Sequence, residues 1–280
     1  MHRTIAPATL CALAGLALMA SACQQPLVNC TSAHSPYLAY MKLKKGDAES
    51  PCGSIGVDII TLNTYFQEGG LNGTPDYDHA KVAITSTNLA GYIDQAEGWT
   101  PPVEGLGDKR NAIGDFSTGK PVDEFCVVDK LAPVVVDVPE LPTIPEVPEV
   151  PDDPETPEDE HEDAIPEVPG IPAQSFRYDW SKLKILVTAD AQGTQLSAHL
   201  KYTENGCVAE YDVFAVSPPV ECEGEDKVEM DGETVLVPNG KPDQTKCDDE
   251  SNGLNPSFAT KCDADLLYCV ITTTPPVYRE

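Results

Sequence analysis

Apolar and polar residues alternate most regularly between residues 183 and 217. Leu183, Ile185, Val187 and Ala189 recur with a period of two, as one face of a strand does, and residues 190–193 supply a turn. Asn205-Gly206 then separates two further alternating runs, and both residues tolerate the positive φ that a type I′ hairpin turn needs. That turn sets a register. Glu204 faces Cys207, followed by Tyr202 with Ala209, Leu200 with Tyr211, Ala198 with Val213 and Leu196 with Ala215, which builds an apolar face. The other face pairs Lys201 with Glu210 and His199 with Asp212, as a solvated face would.

Elsewhere the alternation is looser. Residues 37–44, 56–66, 81–86, 176–180 and 265–273 read as further strands from their β-branched and aromatic content. Leu89, Tyr92, Ile93 and Ala96 recur at helical spacing behind Asn88, which reads as a helix cap. Residues 219–256 are poor in apolar side chains and read as a long loop. Roughly seven to nine short strands joined by Gly, Pro and Asn turns make the chain mainly β. The expected fold is an antiparallel β-sandwich or small β-barrel stapled by disulfides, and periodicity does not choose between the two.

A different period governs the middle of the chain. Pro139, Pro142, Pro145, Pro148, Pro151, Pro154 and Pro157 fall every third residue, and Pro166, Pro169 and Pro172 resume in the same phase. Polyproline II has three residues per turn, so the prolines share one edge. Acids such as Glu140, Glu146, Glu149 and Glu167 take a second edge, and Leu141, Ile144, Val147, Val150, Val168 and Ile171 a third. Residues 133–172 therefore read as a charged, semi-rigid spacer, whose 34 residues from Pro139 to Pro172 would reach roughly 105 Å if fully extended, with a bend at the proline-free residues 158–164.

Charge narrows the partners. Eighteen Lys plus Arg stand against 46 Asp plus Glu, a net charge of -28, so nucleic acid is not an expected partner. Thirteen of the acids lie between Asp137 and Glu167, where there is no Lys or Arg. The acids of residues 219–256 invite a weak Ca2+ site, but none follows the spacing of an EF-hand loop, and no cofactor is expected.

The N-terminus carries an address. Arg3, an Ala- and Leu-rich run, and the small residues Ala20-Ser21-Ala22 directly before Cys23 resemble a bacterial lipoprotein precursor. The resemblance covers residues 1–23 and implies a signal peptide at residues 1–22 and fatty acyl chains on Cys23. It departs from the usual pattern at Ala20, where such motifs more often have Leu. It also implies a stable anchor, since attachment by two or more acyl chains outlasts that by one. Gln24 stands where this lipoprotein class has Asp for inner-membrane retention, so the resemblance favours the outer membrane. Simple secretion after Ala22 is the alternative. The C-terminal stretch 254–270, with Cys262 and Cys269 seven apart, is faintly similar to uncharacterised myxobacterial-type predicted lipoproteins, which implies no activity.

Cysteine parity bears on anchor and architecture together. Of ten cysteines, Cys11 leaves with the signal; if Cys23 carries lipid, the remaining Cys30, Cys52, Cys126, Cys207, Cys222, Cys247, Cys262 and Cys269 form four disulfides with none left over. Three of these precede the spacer and five follow it, so at least one bridge crosses it. Cys126 with Cys207 is the expected crossing bridge. The domain organisation is then a signal peptide, a lipidated tether at 23–35, and one β-rich body made of 36–132 and 173–280 with the spacer as an excursion. Two small domains on a tether are the alternative.

Catalytic chemistry is hard to find. The five histidines lack metal or triad spacing, and His199 is accounted for by Asp212. There is no H-E-x-x-H, C-x-x-C or Gly-rich phosphate loop, and the run from Gly114 to Gly119 misses the G-x-S-x-G elbow by one residue. In an exported chain the cysteines are disulfides rather than nucleophiles or zinc ligands, so no catalytic and no metal residue is expected. The expected function is a non-enzymatic cell-envelope lipoprotein whose partner is an envelope protein, glycan or cell-wall polymer. The alternatives are a hydrolase using Asp or Glu carboxylates, and a β-barrel carrying a small ligand in its lumen.

Overall fold

The computed structural model describes residues 28–69, 73–146, 166–230 and 233–279. Nine strands form one antiparallel sheet: β1 (Tyr37–Lys45), β2 (Val57–Gly69), β3 (Thr74–Ser86), β4 (Asn111–Asp115), β5 (Phe125–Lys130), β6 (Val134–Val138), β7 (Gln174–Val187), β8 (Gln192–Glu204) and β9 (Cys207–Val216). Their order is β4-β3-β2-β1-β9-β8-β7-β5, with β6 also on β7. The two ends of this order meet. Ser117 N donates to Val127 O at 2.8 Å and Ala132 N to Ile113 O at 2.7 Å, so the sheet curls into a nearly closed barrel. A Cβ on Gly114 would stand 2.6 Å from Val128 Cγ1, so glycine is what lets β4 approach β5 at this seam.

The hairpin register is the one expected, from Glu204 opposite Cys207 to Leu196 opposite Ala215. Asn205 and Gly206 have φ of 49° and 83°. Leu200, Tyr211 and Val213 are fully buried in a core that also holds Tyr37, Ile60, Phe176, Trp180 and Leu183. These side chains fill the lumen, as in small packed barrels. On the outer face, Asp212 Oδ1 takes Lys44 Nζ at 3.0 Å and lies 3.6 Å from His199 Nδ1.

Helix α1 (Thr87–Glu97) packs Leu89, Ile93 and Ala96 into the same core. Its cap is Ser86, not the expected Asn88: Ser86 Oγ accepts from Leu89 N at 3.2 Å. Behind it, buried Asp58 takes Ser86 Oγ on Oδ2 at 2.5 Å and Asn88 N on Oδ1 at 3.2 Å. Burial pushes the Asp58 carboxyl up to about 6 in spite of these bonds.

The Pro-rich segment begins later than expected, because residues 134–138 form β6 inside the sheet, with Val134, Val136 and Val138 buried. Its two arms then run back along each other. Leu141 and Ile171 exchange bonds at 2.8 and 2.9 Å, and Ile144 and Val168 do so at 3.0 Å each. The bonding residues recur every third position, on the edge assigned to Leu141, Ile144, Val168 and Ile171, and Pro142 and Pro169, which have no N–H to give, fall between. A Cβ on Gly170 would meet Leu141 O at 2.7 Å, which explains glycine at a position where the repeat mostly has an acid. Within the described residues the segment is a folded-back ladder, not an extended spacer. The expected bend at 158–164 lies outside the described residues.

Residues past β9 form a second unit on the barrel's outer face. Leu186, Ala191 and Val216 from the barrel pack against Leu254, Phe258 and Ile271. The expected loop at 219–256 contains an antiparallel ribbon, β10 (Glu223–Met230) with β11 (Glu233–Pro242), and a short helix α2 (Gln244–Asp248). The expected strand at 265–273 shrinks to β13 (Cys269–Val270), paired with β12 (Lys261–Cys262). The ribbon evades pattern reading because both its faces are exposed, with Val228, Val235 and Leu236 in solvent.

The eight cysteines stand in four pairs: Cys30–Cys126, Cys52–Cys207, Cys222–Cys262 and Cys247–Cys269. A bridge does cross the Pro-rich segment, but it is Cys52–Cys207, not Cys126–Cys207. Cys126 lies level with Ile185, while Cys207 adjoins the Asn205-Gly206 turn, which packs beside Ser175 at the other end of β7. The barrel separates them.

Candidate binding cleft

A cleft of about 920 Å3 opens where the barrel, the N-terminal segment and the C-terminal unit meet. The segment before β1 is pinned on one side by Cys30 N to Gly119 O at 2.9 Å and the Cys30–Cys126 bridge. On the other, Ala33 N donates to Tyr37 Oη at 2.7 Å and Ser32 Oγ to Leu62 O at 3.1 Å. This fixes Thr31, Ser32 and Ser35 as one wall. The facing wall is Asn255, Ser257 and Tyr278, and the floor is Gln192, Thr194 and Ser217 from the barrel strands and their ends.

The two walls cannot drift apart easily. Gln195, fully buried on the outer side of β8, holds the backbone of Val277 with both ends of its amide, at 3.1 and 3.0 Å. Asn255 Nδ2 donates to Asp190 O at 2.9 Å. The cleft is therefore preformed, and its lining mixes hydroxyls and amides with the apolar Ala33, Pro218 and Pro256 and one half-exposed tyrosine ring. Its ionisable groups are His34, Asp190 and the Tyr278 phenol, with no Lys or Arg, so a neutral ligand rich in hydroxyl groups suits it best.

Thr194 Oγ1 is a defect in this floor: it is buried and has no hydrogen-bond partner among the described residues. An unpaired buried hydroxyl costs about 1–3 kcal/mol. Thr194→Val, which keeps the shape and removes the hydroxyl, raises stability by about 1 kcal/mol in urea unfolding. A variant less stable than the parent would show that the hydroxyl is satisfied.

Several acids of residues 219–256 are spent locally. Glu223 takes Gly240 N at 2.8 Å, Glu225 pairs with Lys246 at 3.0 Å, Asp226 takes Asn239 Nδ2 at 2.9 Å, and Asp243 caps α2 through Thr245 N at 2.9 Å. Cys222, Cys247 and Cys262 bring their sulfurs within 4.8 Å of one another, but as members of two adjacent disulfides. Ser117, in the near-miss elbow, sits in the barrel seam rather than on a strand-to-helix turn. Cys23 lies outside the described residues.

A family model named MlpA matches residues 35–218, which run from just before β1 to just past β9. The chain belongs to the MlpA family. The MlpA match thus spans the barrel with its Pro-rich insertion and stops where the C-terminal unit begins. A Myxococcus xanthus protein, MlpA, which carries the name of an inferred lipoprotein, is 24% identical over 263 residues, covering 91% of this chain and 90% of the relative. That length takes the similarity beyond the MlpA barrel itself. No solved structure matches the chain.

The cleft residues were not legible beforehand. They come from five separated stretches, residues 31–35, 190–194, 217–218, 253–257 and Tyr278, none with a motif of its own.

Proposed function

We propose that the protein is a lipid-anchored, non-enzymatic binding module of the cell envelope, with Cys23 as the acylated residue and a neutral glycan as the ligand of the large cleft. The anchor reading is supported by the lipobox-like residues 20–23, by membership of a family whose relative is named a lipoprotein, and by parity, since the eight later cysteines are mutually paired. No helix among the described residues is long and apolar enough to cross a membrane. Gln24 after the anchor supports the outer membrane. Val28 lies at most about 18 Å along the chain from Cys23, so the acyl chains hold the end of the barrel near Val28 and Val187 against the bilayer.

The observation that carries the binding reading is the cleft's chemistry: hydroxyl and amide donors and acceptors around an aromatic ring, on walls locked by Gln195. A glycosidase working through Asp or Glu would need two carboxylates facing one space. Asp190 is the one carboxylate in this cleft, and Asp58, whose raised pKa suits a general acid, is enclosed by Ser86 and the start of α1.

The test uses protein extracted from its own membrane. Intact mass is expected to show acyl chains on Cys23, and the same material is expected to be retained on immobilised envelope polysaccharide and eluted by the free polymer, without new reducing ends. Release of reducing ends would replace the module by a hydrolase. An unmodified Cys23 would remove the anchor.

A further inference from the structure

A second cleft, about 610 Å3, lies at the other end of the barrel between α1 and the turn at residues 51–55. Tyr92 and Gln95 of α1 form one side, and Tyr178, Tyr202 and Glu204 of β7 and β8 the base. Tyr178 and Tyr202 meet edge to face with centroids 4.9 Å apart, and Tyr202 Oη donates to Glu204 Oε2 at 3.1 Å. Asp58 lies beneath, on the far side of Ser86. The lining contains no Lys, Arg or His, and neither Glu204 nor Asp58 has an ion-pair partner among the described residues.

We propose that this cleft binds a compact organic cation, an ammonium group of a small water-borne molecule. Glu204 supplies the opposite charge, and the half-exposed Tyr92, whose ring packs on Phe176 with centroids 4.4 Å apart, supplies aromatic surface beside it, the combination by which proteins hold ammonium groups. The place of the cleft argues for a ligand from the aqueous side. Strand β7 runs from Gln174, beside this end, to Val187, beside Val28, a contour of at most about 43 Å, so the cleft is at the end away from the bilayer that the Cys23 anchor would hold. This site is separate from the polar cleft, and its failure would leave the glycan reading standing.

The experiment titrates the full chain with choline, and with 3,3-dimethylbutan-1-ol, which has the same shape without the charge, by calorimetry. Choline is expected to bind at least tenfold more tightly. Glu204→Gln keeps an acceptor for Tyr202 and is expected to weaken choline about tenfold while leaving the alcohol unchanged. A control for folding comes from Gly91, which lines the cleft and whose added Cβ would meet nothing within 4 Å. Gly91→Phe is expected to keep the parent melting temperature and to abolish binding of both probes. Equal affinity for the two probes, no binding of either, or choline binding that survives both substitutions would overturn the proposal.

Discussion

Replacing Cys52 and Cys207 together by alanine lowers the unfolding free energy by about 5 kcal/mol, the largest loss expected from removing any one of the four bridges. In the chain-entropy model the gain from a crosslink grows with the loop it closes, and this pair is 155 residues apart, against 96, 40 and 22 for the others. Geometry adds a local cost. Tyr211 Oη donates to the carbonyl of Cys52 and accepts from Ile55 N at 3.3 Å, so the bridge also holds the 51–55 turn over a buried phenol. Burial raises that phenol's pKa, so it stays protonated and able to donate. The measurement is urea unfolding of the double variant beside one lacking Cys247 and Cys269. The crossing pair should cost more by at least 1 kcal/mol. Equal losses would mean that loop length is not what the bridge controls.

The second large effect is on pH. Burial raises Asp58 from 3.8 to about 6, so between these values the folded chain keeps a proton that the unfolded chain has released. The contribution is fully present below about pH 4 and is lost as pH rises through about 6. At about 1.4 kcal/mol per pH unit, roughly 3 kcal/mol disappears by pH 7. The difference in stability between the parent and Asp58→Asn should fall by that amount between pH 4 and 7, and the carboxyl carbon of Asp58 should titrate near pH 6 by NMR. A midpoint below 4 would show that the hydrogen bonds from Ser86 and Asn88 outweigh burial.

What the sequence revealed of this fold follows from where water stands. Strands with one wet and one dry face, such as residues 196–215, announce themselves, and the Asn205-Gly206 turn fixes their partners. Barrel over sandwich was not decidable, because both bury alternate residues; closure depends on contacts such as Ser117 with Val127, which no local pattern encodes. Leu186 and Val216 break the alternation because the C-terminal unit covers them, and that covering is itself a long-range event. The β10–β11 ribbon, wet on both faces, left no periodic trace. Neither did the two clefts, whose residues meet only after the chain has folded. For Cys207 the turn was legible and the partner was not, since Cys52 reaches it through β1 lying beside β9.

The paired Pro-rich arms impose a rule on how the gene can change. Because Leu141, Ile144, Val168 and Ile171 bond at every third residue, adding or deleting one or two residues within an arm would bring either prolines or the acidic edge into the bonding positions and break the pattern of the ladder. Whole triplets are the unit that can be gained or lost, and they must be matched between the arms to keep partners opposite. Length variation in this segment should therefore come as nine-nucleotide steps in pairs, lengthening or shortening the ladder while leaving its acidic edge and its footing on the barrel unchanged.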